Sequence, residues 1–300
     1  MHAGERDVDP PLVRSLLESQ LPQWADLSVE RVRSAGTDNA IYRLGDDMAI
    51  RLPRIEAAVG QVGKEQRWLP RLAPHLPLDV PVPLARGEPG AGFPWPWSVY
   101  RWLPGEDGDR AAVTDPRECA LRLAELVTAL QAIDPSGGPS PGEHNAGRGV
   151  PLVARDGYVR DALSDLGGEI DVEAAAAAWE ASVSAPEWTG APAWLHGDLA
   201  PGNLLIDEGR LRAVIDFGCL GVGDPACDVM VAWTFVAADH RETFRAALRV
   251  DDATWMRARG WALSVALIAL PYYRDTNPVL AGNARRWIAE VLADQRPAGR

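Results

Sequence analysis

Residues 194–218 read WLHGDLAPGNLLIDEGRLRAVIDFG, and this stretch decides the fold. Two short apolar runs, 204–206 and 211–215, flank the turn-forming sequence DEG. Apolar runs joined by such a turn predict a β-hairpin. In a hairpin the start of the first strand lies beside the end of the second. Asn203 and Asp216 should therefore meet at one edge.

The residue types at that edge indicate a metal site. Asn203 and Asp216 offer hard oxygen ligands, which suit Mg²⁺ because this ion keeps its other positions for water and phosphate oxygens. Asp198 lies in the tight loop that leads into the hairpin. A carboxylate beside a metal-phosphate site can accept a proton from a hydroxyl nucleophile. Asp198 is therefore the candidate catalytic base.

Three segments resemble those of a known family. HGDLAPGN (196–203) resembles the kinase catalytic loop H-R-D-x-x-x-x-N with Gly in place of Arg, and IDFG (215–218) resembles the D-F-G metal motif. The H-G-D form is similar to that of the aminoglycoside phosphotransferase family, which shares its fold with protein kinases. GDPACD (223–228) resembles that family's segment after the metal Asp.

The resemblance implies a fold and a set of roles. The fold is α+β and protein-kinase-like, with a small antiparallel-sheet N-terminal lobe and a larger, mostly helical C-terminal lobe. Asp198 would be the base, and Asn203 and Asp216 would hold Mg²⁺ on the phosphates. His196 is expected to brace the loop by a hydrogen bond, and Asp228 to act as a brace or a substrate contact. The phosphate donor would be ATP, with GTP open.

The N-terminal part supplies candidates for the phosphate side. Strands are predicted over 28–33, 39–44 and 48–52. The resemblance makes the 34–38 turn, with Gly36, the loop that covers the nucleotide phosphates. MAIR (48–51) resembles the V-A-I-K strand of kinases, but Arg51 stands where Lys is usual. Glu65 is the candidate partner of Arg51, and Glu56 is the second choice.

Pro104-Gly105 breaks the strand pattern and is taken as the lobe boundary. The chain then divides into a nucleotide-binding lobe, 1–103, and a catalytic and substrate-binding lobe, 104–300. In the resembling enzymes the hinge backbone binds the adenine edge, which implicates the main chain of Arg101 and Leu103.

Apolar spacing predicts helices through most of the remaining chain. They are expected over 10–21, 55–69, 116–133, 156–166, 171–182, 227–238, 241–248, 254–270 and 284–293. The Pro- and Gly-rich segment 134–150 is expected to be a long loop. Its His144, Asn145 and Arg148 are candidate substrate contacts, with a disordered surface insertion as the alternative.

The acceptor pocket is expected in the helical lobe. Acidic groups there would suit an amino sugar, and aromatic rings would stack on sugar rings. The chosen substrate candidates are Trp233, Tyr272 and Asp275, drawn from a wider set that also holds Asp239, Trp261 and Tyr273. Trp261 is better explained as core.

Composition excludes some partners and compartments. The formal net charge is −12, which argues against nucleic acid and is compatible with a cationic small molecule or with solubility alone. Three cysteines without C-x-x-C spacing fit reduced thiols in a cytoplasmic protein. The charged N-terminus does not resemble a signal peptide, and the apolar run at 260–273 is too short to span a bilayer.

The leading hypothesis is a phosphotransferase with an alcohol group as acceptor, a small-molecule kinase. Aminoglycoside or other amino sugar, macrolide, choline and homoserine all stay open as acceptors, as do antibiotic resistance and the oligomeric state. Arg51 motivates the alternative, a catalytically weak nucleotide-binding scaffold.

Overall fold

The computed structural model describes residues 5–294, with a small sheet early in the chain and mostly helices later. The five strands of the sheet pair antiparallel in the order β1-β2-β3-β5-β4. They are β1 (Val29–Arg31), β2 (Asn39–Leu44), β3 (Met48–Pro53), β4 (Pro83–Gly87) and β5 (Trp97–Arg101). Helix α1 (Pro10–Gln20) precedes them. This is the sheet-rich first part that the sequence predicts.

Alternation along β3 decides which side chain faces the rest of the molecule. Met48, Ile50 and Leu52 are buried in the core of the small lobe. Successive side chains of a strand point to opposite faces of the sheet. Arg51 therefore projects from the other face of β3.

Helix α2 (Val59–Leu72) follows a short 3₁₀ turn, Glu56–Ala58. The helix predicted over 55–69 is present, but it begins at Val59 and runs two residues past Pro70. Trp68, Leu69 and Leu72 are buried in the core of the large lobe. That packing outweighs the hydrogen bond lost at the proline.

The large lobe is built around one long helix. The helices are α3 (Pro116–Gln131), α4 (Asp156–Asp165), α5 (Val172–Val183), α6 (Ala226–Val229), α7 (Val231–Thr234), α8 (Arg241–Leu248), α9 (Asp252–Tyr273) and α10 (Pro278–Ala293). Helix α9 packs against α4, α5, α6 and α10. It is buried on several sides, which suits its apolar sequence.

Two helix predictions need correction. The predicted helix 227–238 is broken into α6 and α7 and ends at Thr234, and Phe235 at its end has a non-helical backbone. Helix α10 begins at Pro278 rather than at 284. Asn277 caps it by accepting the N–H of Leu280, so the Asn-Pro start signal was in the sequence.

Short strands place the candidate catalytic loop, residues 196–203, in the large lobe. Strand β6 (Glu106–Asp107) pairs with β8 (Leu204–Asp207), which pairs with β9 (Arg210–Val214). Strand β7 (Ala193–Leu195) pairs with β10 (Gly221–Gly223). The catalytic loop lies between β7 and β8. Over residues 5–294, no helix combines the length and apolarity that a membrane crossing requires.

Candidate active site

The hairpin at the centre of the site forms as predicted. Strands β8 and β9 pair antiparallel, and the N–H of Ile215 donates to the carbonyl of Asn203 at 2.9 Å. The turn residues Glu208 and Gly209 both have positive φ, as a two-residue hairpin turn of this hand requires. Asn203 and Asp216 consequently lie at the same edge.

Asp216 has a left-handed backbone conformation, with φ of 62°. Such a φ is uncommon for a residue other than glycine and occurs preferentially at functional sites. The N–H of Gly218 donates to Asp216 Oδ1 at 3.3 Å. The Asp216 side chain is 46% exposed, so a ligand can reach its carboxylate.

Asn203 fixes the catalytic loop through its amide nitrogen. Nδ2 donates to the carbonyl of Asp198 at 2.9 Å and to Asp198 Oδ2 at 3.0 Å. This geometry holds the Asp198 carboxylate and leaves the side-chain oxygen Oδ1 of Asn203 for another partner. The Asp198 side chain is 35% exposed, which permits contact with a substrate hydroxyl.

His196 and Asp228 lie in bracing positions behind the loop. The buried carboxylate of Asp228 accepts the N–H groups of His196 and Gly197 at 2.7 and 2.8 Å. His196 Nε2 lies 3.0 Å from the carbonyl of Ile215, and Nδ1 accepts the N–H of Asp198 at 3.2 Å. Both imidazole nitrogens thus bind main chain, which joins the catalytic loop to the strand before Asp216.

Burial raises the pKa of Asp228, although its two N–H partners and the neighbouring His196 favour the carboxylate. A buried acid that accepts two main-chain bonds suits a structural brace.

Arg51 projects from β3 and binds two acids. Nη1 donates to Glu65 Oε1 at 2.6 Å, and Nη2 donates to Asp216 Oδ1 at 2.6 Å. The structure therefore pairs Arg51 with Glu65, the first choice from the sequence, which is buried. The small lobe and the D-F-G segment are joined by this one guanidinium.

Two residues of this cluster were missed by sequence reasoning. Gln61 Oε1 accepts from Arg51 Nη2 at 3.0 Å, and the Tyr100 hydroxyl donates to Glu65 Oε2. Gln61 lies one turn before Glu65 on α2, so helical spacing could have revealed it. The contribution of Tyr100 from β5 carries no local signal.

The ion pairs determine the charge states. Burial acts to lower the pKa of Arg51, but Asp216 and Glu65 together raise it above its ordinary value. The protein around the Asp216 carboxylate displaces water and acts to raise its pKa, although part of the side chain stays exposed. The Arg51 guanidinium outweighs this and holds the pKa below the usual range. Both groups are charged at neutral pH.

Similarity to known proteins agrees with this geometry. The sequence model of the APH phosphotransferase enzyme family matches residues 29–261. The chain belongs to the APH phosphotransferase family. The predicted enzyme class, a phosphotransferase with a hydroxyl acceptor, is confirmed.

Solved structures share the fold of this APH phosphotransferase. The GDP complex of wild-type aminoglycoside 2'-phosphotransferase-IIIa superposes with a TM-score of 0.73 at 20% identity, covering 96% of this chain and 100% of that one. Apo macrolide 2'-phosphotransferase MphH from Brachybacterium faecium superposes with a TM-score of 0.61 at 25% identity, covering 97% and 100%. The predicted kinase-like bilobal fold is confirmed.

The uncharacterized protein YcbJ of Bacillus subtilis (strain 168) is 25% identical over 245 residues, which cover 74% of this chain and 75% of YcbJ.

Lys64 adds a second link between the lobes of this APH phosphotransferase. Its Nζ donates to the carbonyl of Gly218 at 2.6 Å and to that of His144 at 3.0 Å, and it lies 3.1 Å from His144 Nδ1. Burial lowers the pKa of Lys64. His144, a substrate candidate from the sequence, therefore contacts the small lobe.

The predicted phosphate loop and the predicted hinge differ in which of their main-chain N–H groups already donate a hydrogen bond. The N–H of Gly36 donates to Ser34 Oγ at 3.0 Å. At the hinge, the N–H of Arg101 donates to the carbonyl of Val82 at 2.9 Å. The N–H of Leu103 makes no hydrogen bond to any residue within 5–294, so this donor is available to a ligand. Roles for Gly36, Arg101 and Leu103 stay predictions.

The three acceptor candidates occupy different environments. Trp233 is 1% exposed, and its Nε1 donates to Asp294 Oδ2 at 3.2 Å. It lies in the core and cannot stack on a ligand without rearrangement, so we leave it out of the acceptor pocket. Tyr272 is 51% exposed and stacks edge-on against Tyr273, and the side chain of Asp275 is 88% exposed.

Trp261 is fully buried in α9, as its explanation as a core residue requires. The 134–150 loop is folded, with Asn145 and Arg148 buried, so the alternative of a disordered insertion is wrong. Arg148 Nη2 lies 3.4 Å from Asp198 Oδ1.

Proposed function

We propose that this APH phosphotransferase transfers the γ-phosphoryl group of a nucleoside triphosphate, ATP or GTP, to a hydroxyl of a small molecule, with Mg²⁺. The observation that carries the proposal is the convergence of Asp198, Asn203 and Asp216 at one hairpin edge, opposite Arg51. Phosphoryl transfer needs positioning and charge neutralisation more than covalent chemistry. This cluster offers both.

The donor set fits Mg²⁺. Asn203 uses its nitrogen for Asp198, which leaves its oxygen, and Asp216 presents a half-exposed carboxylate. Within residues 5–294, no three or more His, Cys, Asp or Glu side chains cluster as metal ligands, so Mg²⁺ would rely on fewer protein ligands. One or two protein oxygens are what Mg²⁺ commonly takes beside substrate phosphates. When bound, the ion would neutralise charge on the phosphates.

Arg51 is assigned to the phosphates that do not react. Its guanidinium is oriented by Glu65, and Glu65 is in turn held by Tyr100. A planar guanidinium can bind phosphate through two N–H groups, whereas an ammonium binds as a point charge. Arg at this position is therefore compatible with catalysis, although it must bind in its own geometry.

Asp198 is assigned to the acceptor hydroxyl. It would take the hydroxyl proton while the oxygen attacks the γ-phosphorus and the bond to the β-phosphate oxygen breaks. The products are the phosphorylated acceptor and a nucleoside diphosphate. A positioned base contributes about 10²–10⁴-fold to the rate.

Names of similar structures indicate the range of ligands. Solved structures with this fold hold GDP, ADP or ATP, and some hold kanamycin, gentamicin or streptomycin. For this chain we favour a cationic acceptor such as an amino sugar, because the net charge is −12 and Asp275 and Tyr272 are exposed in the large lobe. Macrolide, choline and homoserine are the other acceptors to test.

Release of nucleoside diphosphate tests the proposal. Wild type is assayed with Mg²⁺ and ATP or GTP over a panel of aminoglycosides, macrolides, choline, homoserine and amino sugars. Acceptor-stimulated release should occur in wild type and fall by at least about 10²-fold in Asp198→Ala. Asp207→Ala, at the far end of the same hairpin, is the matched control and should keep the wild-type rate.

Two results would count against the proposal. Near-normal turnover in Asp198→Ala would remove Asp198 from its role. Nucleotide binding without turnover on any acceptor would favour a nucleotide-binding scaffold.

A further inference from the structure

Arg148 is a buried cation that no part of the proposed mechanism uses. It lies between Gly147 and Gly149, whose φ values of 67° and 88° place both in the left-handed region that favours glycine. A Cβ on Gly149 would come within 2.5 Å of Leu195. The backbone here is therefore wedged against β7, the strand that leads into the catalytic loop.

The main chain of Arg148 is fixed as well. Its N–H donates to the carbonyl of Asn145 at 3.0 Å, and its carbonyl accepts Asn145 Nδ2 at 3.0 Å. The N–H of Asp224, just after β10, donates to the carbonyl of Gly149 at 2.9 Å. Since both sides of Arg148 are bonded, its side chain starts from a defined position.

Gly197 makes room for that side chain. A Cβ on Gly197 would lie 3.2 Å from Arg148 Cβ and 2.5 Å from the carbonyl oxygen of Cys219. Gly197 is the position where the H-R-D pattern carries Arg. Here the cation beside the catalytic loop comes instead from the preceding loop.

The guanidinium of Arg148 completes a clamp on Asp198. Nη2 lies 3.4 Å from Asp198 Oδ1, while Asn203 Nδ2 donates to Oδ2 at 3.0 Å. Arg148 Nε is buried and has no hydrogen-bond partner in the part of the chain that the structure describes. Burying an arginine with an unused donor costs stability, and a use for its charge would explain why the residue is there.

We propose that Arg148 is a positioning residue that holds the carboxylate of Asp198 toward the acceptor hydroxyl. Each carboxylate oxygen has its own partner, Arg148 for Oδ1 and Asn203 for Oδ2. The segment between Asp198 and Asn203, LAPG, contains no cation that could do this.

This inference rests on the proposed function, and its test is kinetic. Arg148→Met keeps the length and removes the charge, and Arg148→Lys restores a charge. We expect Arg148→Met to lower kcat by about 10²-fold, the size of effect that a small misplacement of a reacting group produces. KM for the nucleotide should stay near the wild-type value, and Arg148→Lys should recover most of the loss.

Arg155→Met is the matched control for removal of a buried arginine from the same region. Arg155 donates to Ser264 Oγ at 2.6 Å and to the carbonyl of Ala146 at 3.3 Å, and it does not contact Asp198. It should lower the melting temperature without a comparable loss of kcat. If Arg148→Met loses only stability, as Arg155→Met does, the inference is overturned.

A double mutant shows whether Arg148 acts through Asp198. In an Asp198→Asn background, Arg148→Met should cause no further loss of kcat, because residues that act as a unit are not additive. A full additional loss would contradict positioning of Asp198. Absence of turnover in wild type would overturn the proposed function and this inference together. A wild-type kcat in Arg148→Met would overturn the inference alone.

Discussion

The proposed nucleotide side and the proposed acceptor side of the site are built differently. On the nucleotide side, Glu65 is buried, and Arg51 is bonded to both Glu65 and Asp216. On the acceptor side, Asp275 and Tyr272 are more than half exposed. Asp275 Oδ2 lies 3.8 Å from Nε of its neighbour Arg274. The Arg51 cluster is held by ion pairs to two acids, whereas the side chains of Tyr272 and Asp275 are more than half exposed.

This difference explains which half of the function follows from the fold. Preorganised charges suit a reaction that is the same for every acceptor, since they cost no rearrangement during the chemical step. Exposed side chains on helix ends can change with little effect on stability. The phosphotransferase class is shown by the family match, while the acceptor is left to experiment.

The largest expected effect comes from removal of the proposed metal ligand. Asp216→Ala should reduce turnover on the order of 10³-fold, because the bound ion supplies several kcal/mol of charge stabilisation. The assay is nucleoside diphosphate release at saturating Mg²⁺. Turnover within a few-fold of wild type would show that Asp216 is not a metal ligand.

The next effect tests whether Arg51 must be held in place. Glu65→Gln should lower kcat by roughly 10²-fold, since a small displacement of Arg51 misplaces the phosphates. Glu56→Gln is the matched control on the preceding turn, because the structure pairs Arg51 with Glu65 and not with Glu56. Equal losses in the two variants would contradict the special role of Glu65.

Tyr100→Phe should be felt in stability. It removes the hydroxyl that donates to buried Glu65 and leaves a carboxylate oxygen unpaired, at a cost of about 1.5–3 kcal/mol in the free energy of unfolding. Denaturant unfolding measures this difference. An unchanged midpoint with an unchanged slope would mean that the hydrogen bond contributes nothing net.

Acid should weaken the link between the lobes. Because Arg51 holds the pKa of Asp216 below its usual range, the pair adds stability above the unfolded-state pKa of about 3.9. That contribution is lost as the pH falls through the lower folded-state pKa. The difference in unfolding free energy between wild type and Asp216→Asn should therefore shrink on acidification. A difference that does not change with pH would exclude this pair as the cause.

The smallest effects are expected on the acceptor side. Tyr272→Ala and Asp275→Asn should each change the unfolding free energy by no more than about 0.5 kcal/mol, because both side chains are exposed. If they contact the acceptor, KM for the acceptor should rise while KM for the nucleotide stays constant. Unchanged KM values for an established acceptor would remove them from the pocket.

Sequence reasoning worked where the residues of a function are close in the chain. The hairpin that joins Asn203 to Asp216 was predictable because turn and strand signals are local. Asp198 and Asn203 are five residues apart, so their proximity could also be predicted from the sequence. The pairing of Arg51 with Glu65 needed the resemblance, since the strand and the helix meet only through packing.

The rest depended on contacts between distant elements. Tyr100 approaches Glu65 only because β5 lies beside β3, and Arg148 reaches Asp198 across 50 positions of sequence. Neither contact leaves a pattern in a single sequence. Trp233, chosen from the sequence as a substrate candidate, lies in the core. An aromatic residue in this part of the chain suits a core and a ligand pocket equally well.

Transfer of radiolabel from the γ-phosphate of ATP to an acceptor tests the central claim most directly. The reaction is followed in wild type and in Asp198→Asn at saturating Mg²⁺, with nucleotide binding measured in both. The account predicts label on the acceptor with wild type, a loss of at least about 10²-fold with the variant, and unchanged nucleotide affinity. Equal transfer by the two proteins would contradict it.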